Sequence, residues 1–170
     1  MCNSRALVAA QFYVTIEGTK QGVFKAAATG GPVQKWSSGK IHGLDFHYEA
    51  SRDGARSGSA ARRAHGPVIL TKAWDATTPL IFTAFVTNEA LKSVLFEFLT
   101  VTHEGVESVY QMIELKDAWV SNLSWYLAEE HDRGGDRLEL EDVSFGFGQI
   151  RVENLPGHTE AADSWSAELA

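Results

Sequence analysis

Six histidines, at positions 42, 47, 65, 103, 131 and 158, are the side chains of this sequence best suited to hold a metal or move a proton. Their spacing does not gather them. His42 and His47 lie five apart, so a straight strand turns them to opposite faces, and no His-x-His or His-Glu-x-x-His pair occurs. Cys2 is the one cysteine, which leaves a thiolate zinc site without ligands and an internal disulfide without its second half. No metal site and no cofactor is expected.

Covalent catalysis finds no better footing. Gly54–Gly58 contains a serine between glycines, but it lies in a loop without the strand-to-helix turn that exposes a nucleophile. The carboxylates Glu129, Glu130, Asp132, Asp136, Glu139, Glu141 and Asp142 form a run that reads as solvated loop charge. The glycines of Phe145-Gly-Phe-Gly148 fall inside a strand, where glycine marks a bend or bulge rather than a phosphate cradle. No catalytic residue emerges, and an enzyme is not expected.

The elements that would position any site are mostly strands. A chain of 170 residues fits one domain with a substantial core, and 44% hydrophobic with 22% charged residues is an ordinary globular composition. A net charge of −7 disfavours a nucleic-acid partner. No apolar run approaches the ~20 residues a membrane helix needs, so membrane insertion is not expected. Residues 1–10 are too short for a secretory signal, so synthesis in the cytoplasm and export without a cleavable signal are expected.

Residues 11–17 are β-branched and aromatic and predict a first strand ended by Gly18. Residues 18–40 read as glycine-rich loop with one short strand near 34–37. Over 41–49, Leu44, Phe46 and Tyr48 alternate with Asp45, His47 and Glu49, which predicts a half-buried strand. A short strand follows at 67–71. Asp75, Thr77 or Thr78 can cap a helix with Pro79 in its first turn, Leu80, Ile81, Ala84 and Phe85 on its buried face, and Asn88 at its exit. Strands are then expected at 94–103, 109–116 and 118–127, and a last strand or pair at 138–152. The order predicts a mainly β fold, a compact β-barrel of two antiparallel sheets with one short flanking helix. The domain is expected to span 1–154, with 155–170 an acidic, flexible tail.

Residues 50–66 stand apart. They lack large apolar side chains and carry Arg52, Arg56, Arg62 and Arg63 against Asp53. A loop of this length in a compact domain is usually functional or disordered. Set against the acidic run 129–142, it reads either as solvated charge or as one of two complementary faces for head-to-tail contact, which builds rings or filaments.

The run Arg63-Ala-His-Gly-Pro-Val-Ile-Leu-Thr-Lys-Ala-Trp-Asp-Ala-Thr-Thr-Pro-Leu, continuing to Val94, resembles the Hcp family, the tube protein of type VI secretion. The positions that carry the likeness are Arg63, His65, Lys72, Asp75, Thr78, Pro79, Leu80, Asn88 and Glu89. Tyr110–Trp119, with Asp117, is similar to a later strand of that family, and Leu140-Glu-Asp-Val-Ser-Phe145 to its closing strand. The likeness covers roughly residues 10–152 and is strongest in 63–98; residues 19–35 and the tail do not take part. It implies six-membered rings stacked into a tube inside a contractile sheath, below a spike and on a baseplate, fired from the cell and able to carry small effectors. It also implies that 50–66, with Arg52, Asp53, Arg56, Arg62, Arg63 and His65, reaches the next ring. A phage-tail-like tube protein and a stand-alone β-barrel binding module are the alternatives.

Overall fold

Phe12, Val14 and Ile16 of the first strand, β1 (Gln11–Gly18), are all buried, while the residues between them are half-buried or exposed. That alternation continues around the molecule and builds one core. The computed structural model describes residues 11–26, 39–52, 63–101, 104–129 and 137–164. After β1 come β2 (Gly22–Val23), β3 (Ile41–Gly43), β4 (Asp45–His47), β5 (Ala50–Arg52), β6 (Arg63–His65) and β7 (Val68–Ala73). The helix α1 (Thr78–Val86) precedes β8 (Leu91–Val101), β9 (Glu107–Glu129), β10 (Arg137–Asn154) and β11 (Thr159–Ser164). The expected strand near 34–37 lies outside the described residues.

The antiparallel order β1-β8-β9-β10-β7-β4 becomes a barrel because β3, which runs directly into β4, pairs back onto β1. The stretch 41–47 is therefore not the single straight strand expected. It changes partner at Leu44, whose N–H donates to Thr71 O at 2.8 Å, and Leu44 itself turns outward, 48% exposed. Phe46 and Tyr48 keep their predicted packing against the core. The corner is possible because Gly43 has no side chain: the Phe12 ring occupies that space. His42 and His47 are both exposed.

Two long strands replace the shorter ones expected. β9 runs 23 residues and β10 runs 18, paired from Arg137↔Glu129 to Asn154↔Gln111. The break expected near residue 117 is a bend: Asp117 has a φ of 49°, a left-handed conformation that aspartate tolerates better than most residues. Gly148 lies opposite, and a Cβ there would sit 3.2 Å from Asp117 Cβ. On its other side β10 pairs first with β7, over 140–145, and then with β11, over 149–154.

That last pairing corrects the flexible tail. Residues 159–164 form a strand in register with Gln149–Asn154. The turn before it is closed by Gly157 N–H donating to Asn154 Oδ1 at 2.9 Å and by His158 N–H donating to Leu155 O at 3.2 Å. Pro156-Gly157 is a turn signal, and the low apolar content of the segment hides the strand behind it: an exposed edge strand needs no hydrophobic alternation. Residues 165–170 lie outside the described residues.

The helix begins where expected but is held differently. Thr77 is the N-cap and makes no side-chain cap; its hydroxyl donates to Asp75 Oδ1 at 2.5 Å instead. Asn88, with a φ of 49°, ends the helix, and Glu89 N–H donates to Ala84 O at 2.9 Å. Ile81 and Ala84 face the core, and Leu80 packs beside them. Phe85 does not join them. It is 41% exposed because a helix seated on the barrel's flank buries only a narrow stripe.

Candidate functional site

Two polar clusters organise the residues singled out from the sequence. The first is buried. Lys72 of β7 and Glu141 of β10 are both fully inaccessible, and Lys72 Nζ lies 2.5 Å from Glu141 Oε1. The ammonium also donates to Ala73 O at 2.8 Å and Asp75 Oδ1 at 3.0 Å, with Thr78 Oγ1 at 3.3 Å. Thr78 donates to Glu141 Oε1 at 2.8 Å, and the Trp125 indole donates to Glu141 Oε2 at 2.9 Å. Asp75 meanwhile accepts Thr77 N–H at 2.7 Å. Lys72, Thr78 and Trp125 thus converge on Glu141, with Asp75 bonded to the same ammonium, and tie β7, the start of α1, β9 and β10 together. Pro79 and Leu80 follow in the first turn, and Leu80 O accepts the Gln21 amide at 3.1 Å.

Glu141 was expected among solvated loop charges, as was Asp142. Both belong to β10, where alternation sends Glu141 inward and sets Asp142 beside Thr71 and Tyr126, which donate to it at 2.6 and 3.1 Å. The two carboxylates are engaged within the fold, so an acidic face over 129–142 loses two of its members. Residues 130–136 lie outside the described residues. Glu89, at the helix exit, is likewise internal: it accepts Lys20 N–H at 2.7 Å, Gln21 N–H at 2.9 Å and the Gln21 amide at 2.8 Å. Burial pushes its carboxyl up, yet these donors outweigh it and hold the group below the ordinary range.

The second cluster sits at the root of the long loop. β5 and β6 form a separate two-stranded hairpin, with Ala50↔His65, Ser51↔Ala64 and Arg52↔Arg63 in register. Asp53, Arg56 and Arg62, the predicted loop residues between these strands, lie outside the described residues. Arg63 donates through Nε and Nη2 to both oxygens of Asp163 in β11, at 2.6 and 2.8 Å. His65 Nε2 lies 2.9 Å from the same carboxylate, and its Nδ1 lies 2.5 Å from the Tyr48 hydroxyl. Burial, and then the Asp163 charge, push the Tyr48 hydroxyl up, so it stays protonated and donates to Nδ1. An imidazole carrying its proton on Nε2 satisfies both neighbours. The His65 ring also stands edge-on to Phe147 with centroids 5.9 Å apart.

The Arg63 hydrogen bonds, opposed by burial and reinforced by His65 and the Ser164 N–H, hold the Asp163 carboxyl down at about 2. A depressed carboxyl stabilises the folded state above its unfolded value, near 4, and loses that contribution as pH falls through about 2. The difference in urea midpoint between the native chain and Asp163→Asn should therefore shrink as pH drops from 4 to 2.

No group of three or more potential metal ligands occurs among the described residues. A sequence profile described as "Type VI secretion system effector, Hcp" matches residues 13–153, which is most of the barrel. The chain belongs to the Hcp family. Among its relatives is a "Major exported protein" of Pseudomonas aeruginosa, 28% identical over 166 residues, spanning 93% of this chain and 96% of that protein. The crystal structure of an Hcp protein superposes with a TM-score of 0.81 at 20% identity, over 92% of this chain and 98% of that one. The secreted protein Hcp3 of Pseudomonas aeruginosa gives 0.76 at 26% identity, over 92% and 99%. This Hcp chain is thus a member of a secreted, structural family of type VI secretion. Of the family positions, Lys72 and Thr78 bind Glu141 and Asp75 binds Lys72, Arg63 and His65 grip Asp163, Asn88 and Glu89 shape the helix exit, and Asp117 bends β9. Nothing in the Hcp motif marks Asp163, Tyr48 or Gln21, and Glu141 enters it only as part of the closing-strand run.

Proposed function

We propose that this chain is the inner-tube subunit of a type VI contractile injection machine, assembling as stacked hexameric rings and performing no catalysis. One observation on the molecule's surface carries the reading. Trp74 and Phe82 both contact Trp125, with ring centroids 6.4 and 5.3 Å from it, and form an aromatic patch. These side chains are 42–47% exposed, and the outward residues Phe85, Val86, Leu127 and Leu138 add to the apolar surface. A monomer rarely leaves such residues to water, whereas a ring subunit covers them with its neighbour. The surrounding partners in this reading are the contractile sheath, spike and baseplate, with small effectors as cargo of the ring lumen. Export of the tube on firing completes the reading.

Ring-to-ring contact falls to the arginine loop between β5 and β6. Replacing residues 53–62 with a two-residue turn, which spares Arg63, should leave rings intact and abolish tubes in negative-stain electron microscopy. Tubes of unchanged length from this variant would remove the loop from the stacking contact.

A further inference from the structure

We infer that Asp163 is the positioning residue for the β5–β6 stem: the C-terminal strand β11 acts as a latch that fixes the stem of the loop 53–62 on the barrel. This rests on the reading of that loop as the ring-to-ring contact, and it adds the element that controls it.

β5 and β6 share three residue pairs and belong to a sheet of their own, separate from the barrel's. Two strands of this length are at best marginally stable alone. They cannot by themselves aim the ten residues they carry. The stem's position has to come from contacts with the rest of the molecule, and three hydrogen bonds from it converge on one carboxylate. Arg63 grips both oxygens of Asp163 in a forked pair, and His65 approaches the second of them. Forked guanidinium–carboxylate pairs fix orientation as well as distance. Tyr48, immediately before the hairpin, closes the chain of hydrogen bonds through His65.

Asp163 is itself held from the opposite side. β11 pairs with β10 over six residues, Gln149↔Ser164 to Asn154↔Thr159. Arg151 of β10 donates to Glu160 of β11 at 2.8 Å, across the same ladder. The orientation therefore passes from β10 to β11, from Asp163 to Arg63 and His65, and on to the loop. One consequence concerns the end of the chain. Any event that peels β11 from β10 frees the loop root without disturbing the closed barrel, because β10 keeps β9 and β7 as neighbours.

The test compares the native chain, Asp163→Ala, the reciprocal swap Arg63→Asp with Asp163→Arg, and the 53–62 replacement. Two readouts are taken: amide hydrogen exchange in 50–52 and 63–65, and tube length by electron microscopy. Asp163→Ala should form rings, exchange the stem amides at least tenfold faster with β1 and β8 unchanged, and shorten or lose the tubes. The swap should restore part of both. If Asp163→Ala does not fold, the near-isosteric Asp163→Asn carries the same readouts. Unchanged stem exchange overturns the inference, whatever the tubes do. Normal tubes from Asp163→Ala, alongside none from the loop replacement, also overturn it. Normal tubes from the loop replacement would instead defeat the reading of the loop itself, and the exchange rates would still decide whether Asp163 holds the stem.

Discussion

Replacing Lys72 with methionine should cost roughly 3–5 kcal/mol of folding stability, because it leaves Glu141 as an unpaired charge in a site with no access to water. For a domain of this size each kcal/mol moves the thermal midpoint by about 2–4 °C, so a fall on the order of 10 °C is expected. The cost lies in the orphaned carboxylate and not in the net value of the pair. Adding Glu141→Gln should therefore recover about half of the loss or more, since glutamine removes the charge, keeps an oxygen for the Trp125 indole and offers its amide N–H to the Thr78 hydroxyl. A double-mutant cycle by chemical denaturation measures this. Strictly additive losses would mean that the two residues do not act as a pair, and that the family positions around them matter for other reasons.

The second large effect is expected where the barrel closes. A Cβ on Gly43 would lie 1.9 Å from Phe12 Cε2 and 2.2 Å from Cζ, far inside contact distance. Phe12 has little room to yield. Its ring stacks on Phe98 at 5.1 Å and meets Phe46 edge-on at 6.3 Å, and Phe46 in turn abuts Phe96 at 5.1 Å. Gly43→Ala should therefore destabilise by about 3 kcal/mol, the upper end of the usual range for overpacking. Its effect exceeds simple crowding, because β3 and β4 join β1 to β7. Prising them away exposes two strand edges, which are templates for aggregation. Low soluble yield should accompany the loss, and Phe12→Leu in the same chain should restore part of both. A stable, soluble Gly43→Ala protein would place the ring elsewhere in solution.

Much of this fold can be read from the side chains in order. The alternation of β1 and the proline-led helix with Asn88 at its end are local signals, and local signals survive folding. What escapes such reading is set by distant partners. The bend at Leu44 exists because β3 must meet β1 while β4 meets β7, and no residue within 41–49 announces two partners. Glu141 looks like one more acid in an acidic run until the register with β7 places it against Lys72. β11 is the clearest case. Its residues are small and polar, so hydrophobic pattern gives no hint of a strand, yet its Asp163 meets Arg63 a hundred positions away. The motif residues themselves were visible; the carboxylates that organise them were not.

The arginine-rich loop illustrates the same division. Its length and charge single it out in the sequence, and the structure supplies what stands beneath it: a three-pair hairpin strapped to β11. The aromatic patch of Trp74, Phe82 and Trp125 is the reverse. Its residues resemble core residues, and only their exposure on the barrel flank offers them as the proposed surface for another subunit.

Native mass spectrometry of the purified chain tests the central claim most directly. A dominant species of six copies of the 18.6 kDa chain is expected, with multiples of it as rings stack. A monomer persisting at high concentration would contradict it.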